Sequence, residues 1–229
     1  VQHEGVDVVS VCTPTFLHKE MVCFAATHGR HVLCEKPLAK SLEEADAMLE
    51  AAERNGVLLS TSLQYRDFTH NRRLKEIIDD GSFGEPIFLR YIDIREVRPK
   101  LAMHRRSMNN GPVLDMLPHY FDIMRYFTGC EPEAVFATGH IFGKGKQRLA
   151  EIDDLAIDAA DVQVRYGGGH VLSVHVNWGM PEDYENVSHE LIVSPDSLAR
   201  REGDTLHLIV RGNEETLDVK WAGPEHRIA

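Results

Sequence analysis

Three side chains in this sequence could do acid–base chemistry together: Lys36, Asp115 and His119. Lys36 stands in Cys34-Glu35-Lys36-Pro37, directly after the short apolar run Val32-Leu33. A strand ending there delivers an ammonium to the carboxyl edge of a sheet, the edge at which open α/β folds bind their ligands. The proline fixes the backbone and holds the residue before it extended, so the lysine is aimed. Asp115 and His119 lie four apart in an otherwise apolar segment, a spacing that puts both on one face of a helix running through them. An imidazole with an ordinary pKa near neutrality suits proton transfer. A carboxylate one turn away would orient the ring and favour its cationic form, and an ammonium would stabilise negative charge developing on an oxygen. Each piece has an ordinary alternative: a solvated lysine opening a loop, and a polar stripe on an amphipathic helix. Pro118 leaves the helix start open, because proline is favoured at the first helical position and disfavoured inside.

The elements that must position these groups can be read in order. Val6 to Cys12 is a buried-strand run that Thr13-Pro14-Thr15 breaks. Leu17, Met21, Val22 and Ala25 then recur at helical spacing until Gly29, and His31 to Cys34 is the next strand. Ser41-Leu42-Glu43-Glu44 is a capping box opening a helix that ends at Asn55-Gly56, and Val57 to Ser60 is a third strand. Strand, helix, strand, helix, strand at this pace predicts a parallel sheet with helices packed on it. After Gln64-Tyr65-Arg66 the pattern changes. A helix around Leu74, Ile77 and Ile78 stops at Gly81, Pro86 to Arg95 alternates, and Leu114 to Phe127 is helical. Strands follow at Ala134 to Ile141, Asp161 to Tyr166, Val171 to Trp178, Glu190 to Ser194, Leu206 to Val210 and Thr216 to Val219. The expected fold is therefore α/β plus α+β: a partial Rossmann-type parallel unit over residues 1–64, then a mainly antiparallel open sheet with helices on one face over residues 65–229.

Composition narrows the function classes. A net charge of -11, with no basic run, argues against a nucleic-acid or anionic-membrane surface. No apolar stretch approaches the roughly 18 residues of a membrane span. The four cysteines (Cys12, Cys23, Cys34, Cys130) show no CxxC spacing and read as reduced thiols of a cytoplasmic protein. The 13 histidines form no HExxH or similar pattern, so no metal site is expected. Gly167-Gly168-Gly169 lies between two alternating strands and reads as a hairpin turn, and Gly143-Lys144-Gly145-Lys146 as a surface loop.

The run of motifs resembles the glucose–fructose oxidoreductase / inositol dehydrogenase (Gfo/Idh/MocA) family. The likeness is carried by Cys-Thr-Pro after the first strand, by Cys34-Glu35-Lys36-Pro37-Leu38, and by Gly111 to Asp122 with its Asp-x-x-x-His. The resemblance implies an NAD- or NADP-dependent oxidoreductase moving hydride between the nicotinamide and a secondary alcohol or ketone of a sugar, inositol or related polyol. It implies Lys36, Asp115 and His119 as the catalytic trio, and Thr13, Pro14, His18, Glu35, Lys36, Gln64 and Arg66 as lining the nucleotide site. It also implies a homodimer or homotetramer formed through the open sheet. Tyr91, Asp93 and Arg95 on one strand face, and Asn177-Trp178 at a strand end, are candidate substrate contacts.

One family feature is missing: no GxGxxG occurs, and nothing before Val6 supplies the strand, glycine-rich turn and helix amino terminus that hold a pyrophosphate. The expectation is a chain truncated at its amino end and, without the family's further helix and strand, at its carboxyl end, with weak NAD(P) affinity if taken alone. The alternative is a non-catalytic remnant serving self-association or small-ligand binding.

Overall fold

The computed structural model describes residues 1 and 3–219. Strands β1 (Val8–Val11), β2 (His31–Cys34) and β3 (Leu59–Thr61) pair in parallel in that order, with Val11 opposite Cys34 and Cys34 opposite Thr61. All three therefore end at one edge. The connections are helices α1 (His18–Thr27) and α2 (Leu42–Arg54), which pack with the strands around Val11, Val22, Val32, Cys34 and Met48. Ser41 caps α2 by accepting from the Glu44 amide at 3.3 Å, while the Glu44 carboxylate reaches back to the Lys40 amide at 3.1 Å. The first contact satisfies one of the orphan donors at the helix start, and the second ties the residue before the cap to the first turn.

A 3-10 turn (Gln64–Asp67) leads into α3 (Thr69–Asp79), β4 (Phe88–Glu96), the single-turn α4 (Leu101–His104) and α5 (Gly111–Thr128). The remaining strands are β5 (Pro132–His140), β6 (Ala159–Tyr166), β7 (Val171–Met180), β8 (Val187–Val193), β9 (Ser197–Glu202), β10 (Thr205–Val210) and β11 (Asn213–Asp218). With β4 they form an eight-stranded sheet in the order β11-β10-β9-β8-β4-β7-β6-β5. Only β4 and β7 run parallel; the other neighbours are antiparallel. Alternation decides which face is covered. Leu89 and Tyr91 of β4 and Leu172, Val174, Val176 and Trp178 of β7 meet α3 and α5 in one core with Leu74, Ile77, Ile123 and Phe127. Phe88 and Phe136 point the other way and are exposed.

Three expectations change. β9 gave no apolar signal because its inward side chains are Ser197, Ala199 and Arg201, small or charged, yet it pairs on both sides. β8 and β11 begin earlier than expected, at Val187 and Asn213, and β3 is shifted to Leu59–Thr61. Helix α5 starts at Gly111 with Pro112 in its first turn and carries Pro118 inside. Gly111 has φ of +93°, and a Cβ there would come within 2.6 Å of the Ile157 carbonyl, so the entry to α5 admits only glycine without rearrangement.

Candidate active site

The carboxyl edge of the parallel sheet faces α5. Lys36, just past β2 and followed by a cis Lys36–Pro37 bond, extends across the gap. Its Nζ lies 2.8 Å from Asp115 Oδ1 and donates to the Asp115 carbonyl oxygen at 3.1 Å. A cleft of about 250 Å³ opens beside this pair, with Lys36, Thr61 and Leu63 on one wall and Pro118, Phe121 and Asp122 on the other.

His119 follows Asp115 by one turn and is only 2 % exposed. Its ring lies flat on Tyr65, centroids 4.0 Å apart and planes within 6°. Burial, and then the Lys36 charge, lower its pKa to about 3. This corrects the expectation of a near-neutral histidine made cationic by Asp115: the aspartate is held by Lys36, and His119 Nδ1 is buried without a partner among the described residues. The imidazole is thus neutral through the physiological range. An unfolded chain would protonate this histidine near pH 6.5 while the folded one does not, so stability falls as pH drops from about 6.5 towards 3, by at most about 1.4 kcal/mol per pH unit. Urea midpoints of wild type and His119→Phe across that window check this. The variant's curve should be flatter, and parallel curves would contradict the depressed pKa.

The other candidates separate into free and engaged groups. Thr13 Oγ1 and Gln64 Oε1, from the loops after β1 and β3, are buried and unpartnered among the described residues. Pro14 caps the 3-10 turn Thr15–Leu17. His18 is buried and braces two loops, with Nε2 2.9 Å from the Thr13 carbonyl and Nδ1 3.0 Å from that of Pro37. The Glu35 carboxylate accepts from the Lys36 amide at 3.2 Å. Arg66 forks onto Asp122, with Nε 2.8 Å from Oδ2 and Nη2 2.5 Å from Oδ1.

On the sheet, Tyr91 and Asp93 are buried supports and do not line an open cleft. The Tyr91 hydroxyl donates to Glu190 at 3.0 Å, and Asp93 accepts from Trp178 Nε1 at 3.0 Å and Arg95 Nε at 2.7 Å. Arg95 also lies over the Trp178 ring, 4.7 Å from its centroid. Asn177 points to the opposite face from Trp178, and its side chain is engaged within β7 itself, accepting from the Gly179 amide at 3.0 Å. Sequence reasoning missed Tyr65, although both its neighbours were singled out; nothing in its local pattern marks a ring that will meet residue 119.

The geometry can be set beside known proteins. A family model described as "GFO/IDH/MocA C-terminal domain" matches residues 71–199, and one described as "Oxidoreductase family, NAD-binding Rossmann fold" matches residues 1–63. The chain belongs to the Gfo/Idh/MocA oxidoreductase family. Among its relatives in this family, the myo-inositol 2-dehydrogenase of Thermotoga maritima is 35 % identical over 169 residues, covering 74 % of this chain and 49 % of that protein. The 1,5-anhydro-D-fructose reductase of Ensifer adhaerens is 36 % identical over 149 residues, covering 64 % of this chain and 45 % of that protein. The chain thus spans about half the length of these Gfo/Idh/MocA relatives. In fold it is similar to a levoglucosan dehydrogenase solved with NADH, with a TM-score of 0.82 at 23 % identity over 99 % of this chain and 64 % of that one.

Proposed function

We propose that the protein is an NAD(P)-dependent oxidoreductase acting on a secondary alcohol or ketone of a sugar, inositol or related polyol. The observation that carries this reading is the bridge from Lys36 at the sheet edge to Asp115, with a neutral His119 one turn further along the same helix. The family membership and the sugar- and inositol-converting relatives support it.

The residues present fit a nicotinamide cofactor. Thr13 Oγ1 and Gln64 Oε1, which follow the carboxyl ends of β1 and β3 as Lys36 follows that of β2, are buried polar atoms without partners among the described residues. A buried polar group left unpaired costs free energy that a ligand's amide or hydroxyl would offset. Thr13, Gln64 and Glu35 would hold the nicotinamide end, with Pro14 and His18 shaping its wall. When bound, the cofactor supplies the acceptor or donor of the hydride. In the oxidising direction His119, being neutral, takes the hydroxyl proton. The Lys36 ammonium donates to the same oxygen and stabilises its developing negative charge, as an oxyanion hole does. Asp115 fixes the position of Lys36, and Arg66 with Asp122 holds the connector against α5. Of the sheet residues, Arg95 is the substrate-facing one, with Asp93 and Trp178 orienting it and Tyr91 beneath.

We also place the protein in the cytoplasm, in keeping with its four free cysteines. The open face of the eight-stranded sheet, with Phe88 and Phe136 exposed on it, would form a dimer or tetramer. The deciding experiment follows reduction of NAD and NADP by a panel of inositols, sugars and anhydrosugars, using the full-length protein. Turnover of at least one polyol is expected. Cofactor binding with no turnover of any panel member would overturn the proposal.

A further inference from the structure

The ring beneath His119 comes from an unexpected place. Tyr65 belongs to neither sheet; it sits in the 3-10 turn Gln64–Asp67 that joins them. Its backbone is tied to the start of α3, because the Tyr65 carbonyl accepts from Asn71 Nδ2 at 2.8 Å. Its ring is held from several sides. Phe68 packs against it at a centroid distance of 4.9 Å, and Tyr120 closes on it edge-on at 6.2 Å. Tyr120 in turn stacks on Tyr91 of β4 at 4.2 Å, and Tyr91 is anchored to Glu190. A continuous series of rings thus runs from a buried carboxylate in the eight-stranded sheet to the imidazole. The last ring, the one that touches His119, lies within 6° of parallel to it.

A neutral imidazole that must receive a proton from one oxygen has to present one nitrogen in one direction. Rotation about its side-chain bonds is therefore the freedom that must be removed. Asp115 does not remove it, being occupied by Lys36. No side-chain hydrogen bond to His119 Nδ1 does either, since that atom has no partner among the described residues. The flat contact with Tyr65 remains. We infer that Tyr65 is a positioning residue: its stacked ring fixes the plane of His119 and excludes water from one face, so that the imidazole meets the substrate oxygen beside Lys36 in a single orientation.

The charged group facing His119 is Lys36, itself paired with Asp115. The phenol of Tyr65 adds no charge: burial, with Asp93 next, pushes its pKa up to about 12. The stacked face, and not the hydroxyl, is therefore the part that acts, and phenylalanine should replace tyrosine.

The kinetic part of this inference rests on the oxidoreductase reading; the contact itself does not. The test uses two readouts on wild type, Tyr65→Phe, Tyr65→Leu and Tyr65→Ala. The first is the NMR titration of the His119 ring without ligands. The second is the pH profile of kcat/KM with the best polyol. Wild type and Tyr65→Phe should titrate together, far below the ordinary histidine range. Tyr65→Ala should titrate at least about one pH unit higher, with the acid limb of its profile moved the same way. Its kcat should fall roughly tenfold to a hundredfold, with KM much less affected. Should Tyr65→Ala fail to fold, Tyr65→Leu keeps the volume and removes the flat face. A non-aromatic variant that folds and leaves both the His119 titration and the acid limb in place would overturn the inference, whatever it does to stability. A shifted titration in a protein whose wild type oxidises no polyol would support the contact and overturn the reading of the reaction.

Discussion

Lys36→Ala in the full-length protein should lower kcat for polyol oxidation by about 10²–10³-fold, the usual cost of losing one donor to a developing oxyanion. The ammonium is held at both ends of one residue, by the Asp115 carboxylate at 2.8 Å and its carbonyl at 3.1 Å. It is fixed before any substrate arrives and needs little reorganisation in the transition state. Arginine should not rescue it, because a planar fork cannot occupy the place of a compact ammonium between a helix turn and a strand end. The substitution has a second signature. The Lys36 charge is the lesser cause of the depressed His119 pKa, burial being the greater. The acid limb of kcat/KM should therefore move upward only part of the way towards the ordinary histidine value. Steady-state kinetics across pH, on protein whose fold is verified by circular dichroism, measures both effects. A kcat within about threefold of wild type would remove Lys36 from the chemistry.

How much of this arrangement the sequence discloses depends on the range of the contacts involved. The parallel sheet was legible because its determinants are local: short apolar runs, a capped α2, and glycines closing helices. Lys36, Asp115 and His119 were legible as residue types at the ends of such elements. Their pairing was not. Which group the Asp115 carboxylate serves depends on how α5 docks against the strand end, and a local one-turn argument assigns it to His119 when Lys36 in fact takes it. Pro118 misleads for a similar reason. Locally it leaves the start of the helix open, but Gly111 and Pro112 begin α5 earlier, and the packing of Ile123, Met124 and Phe127 holds the helix through the proline. Tyr91 and Asp93 have the alternation of a strand face. That pattern cannot say that Glu190 and Trp178, distant in sequence, will take up their polar atoms. β9 stayed hidden because an interior strand carrying Ser197, Ala199 and Arg201 inward has almost no apolar signature of its own.

The buried Glu190 carries the second large expectation: Glu190→Ala should cost about 3–5 kcal/mol of stability, the scale seen when one partner of a buried charged cluster is removed. The residue is 4 % exposed on β8. It accepts from the Tyr91 hydroxyl at 3.0 Å, lies 3.5 Å from His70 Nε2, and accepts from Arg201 Nε at 3.4 Å. Burial pushes its pKa up. The hydrogen bond and charge of His70, then the Arg201 charge and the Tyr91 hydroxyl, outweigh that and leave it lowered. The carboxylate is therefore ionised in the folded state, and truncating it would take that partner from the buried Tyr91 phenol and His70 ring and from the partly exposed Arg201. The sign of the pH dependence follows. A carboxyl with a lowered folded pKa contributes stability that is present above its unfolded pKa, about 4.3, and is lost as pH falls through the folded value. The gap between wild type and Glu190→Ala, measured by urea unfolding, should be full at neutral pH and shrink below about pH 4. Glu190→Gln should lie between them, keeping the tyrosine's acceptor while losing the charge. Because Tyr91 carries Tyr120 and through it Tyr65, Glu190→Ala should also broaden the NMR signals of the His119 ring. A loss under about 1 kcal/mol would mean that water takes the place of the carboxylate, and that the ring series is held by packing alone.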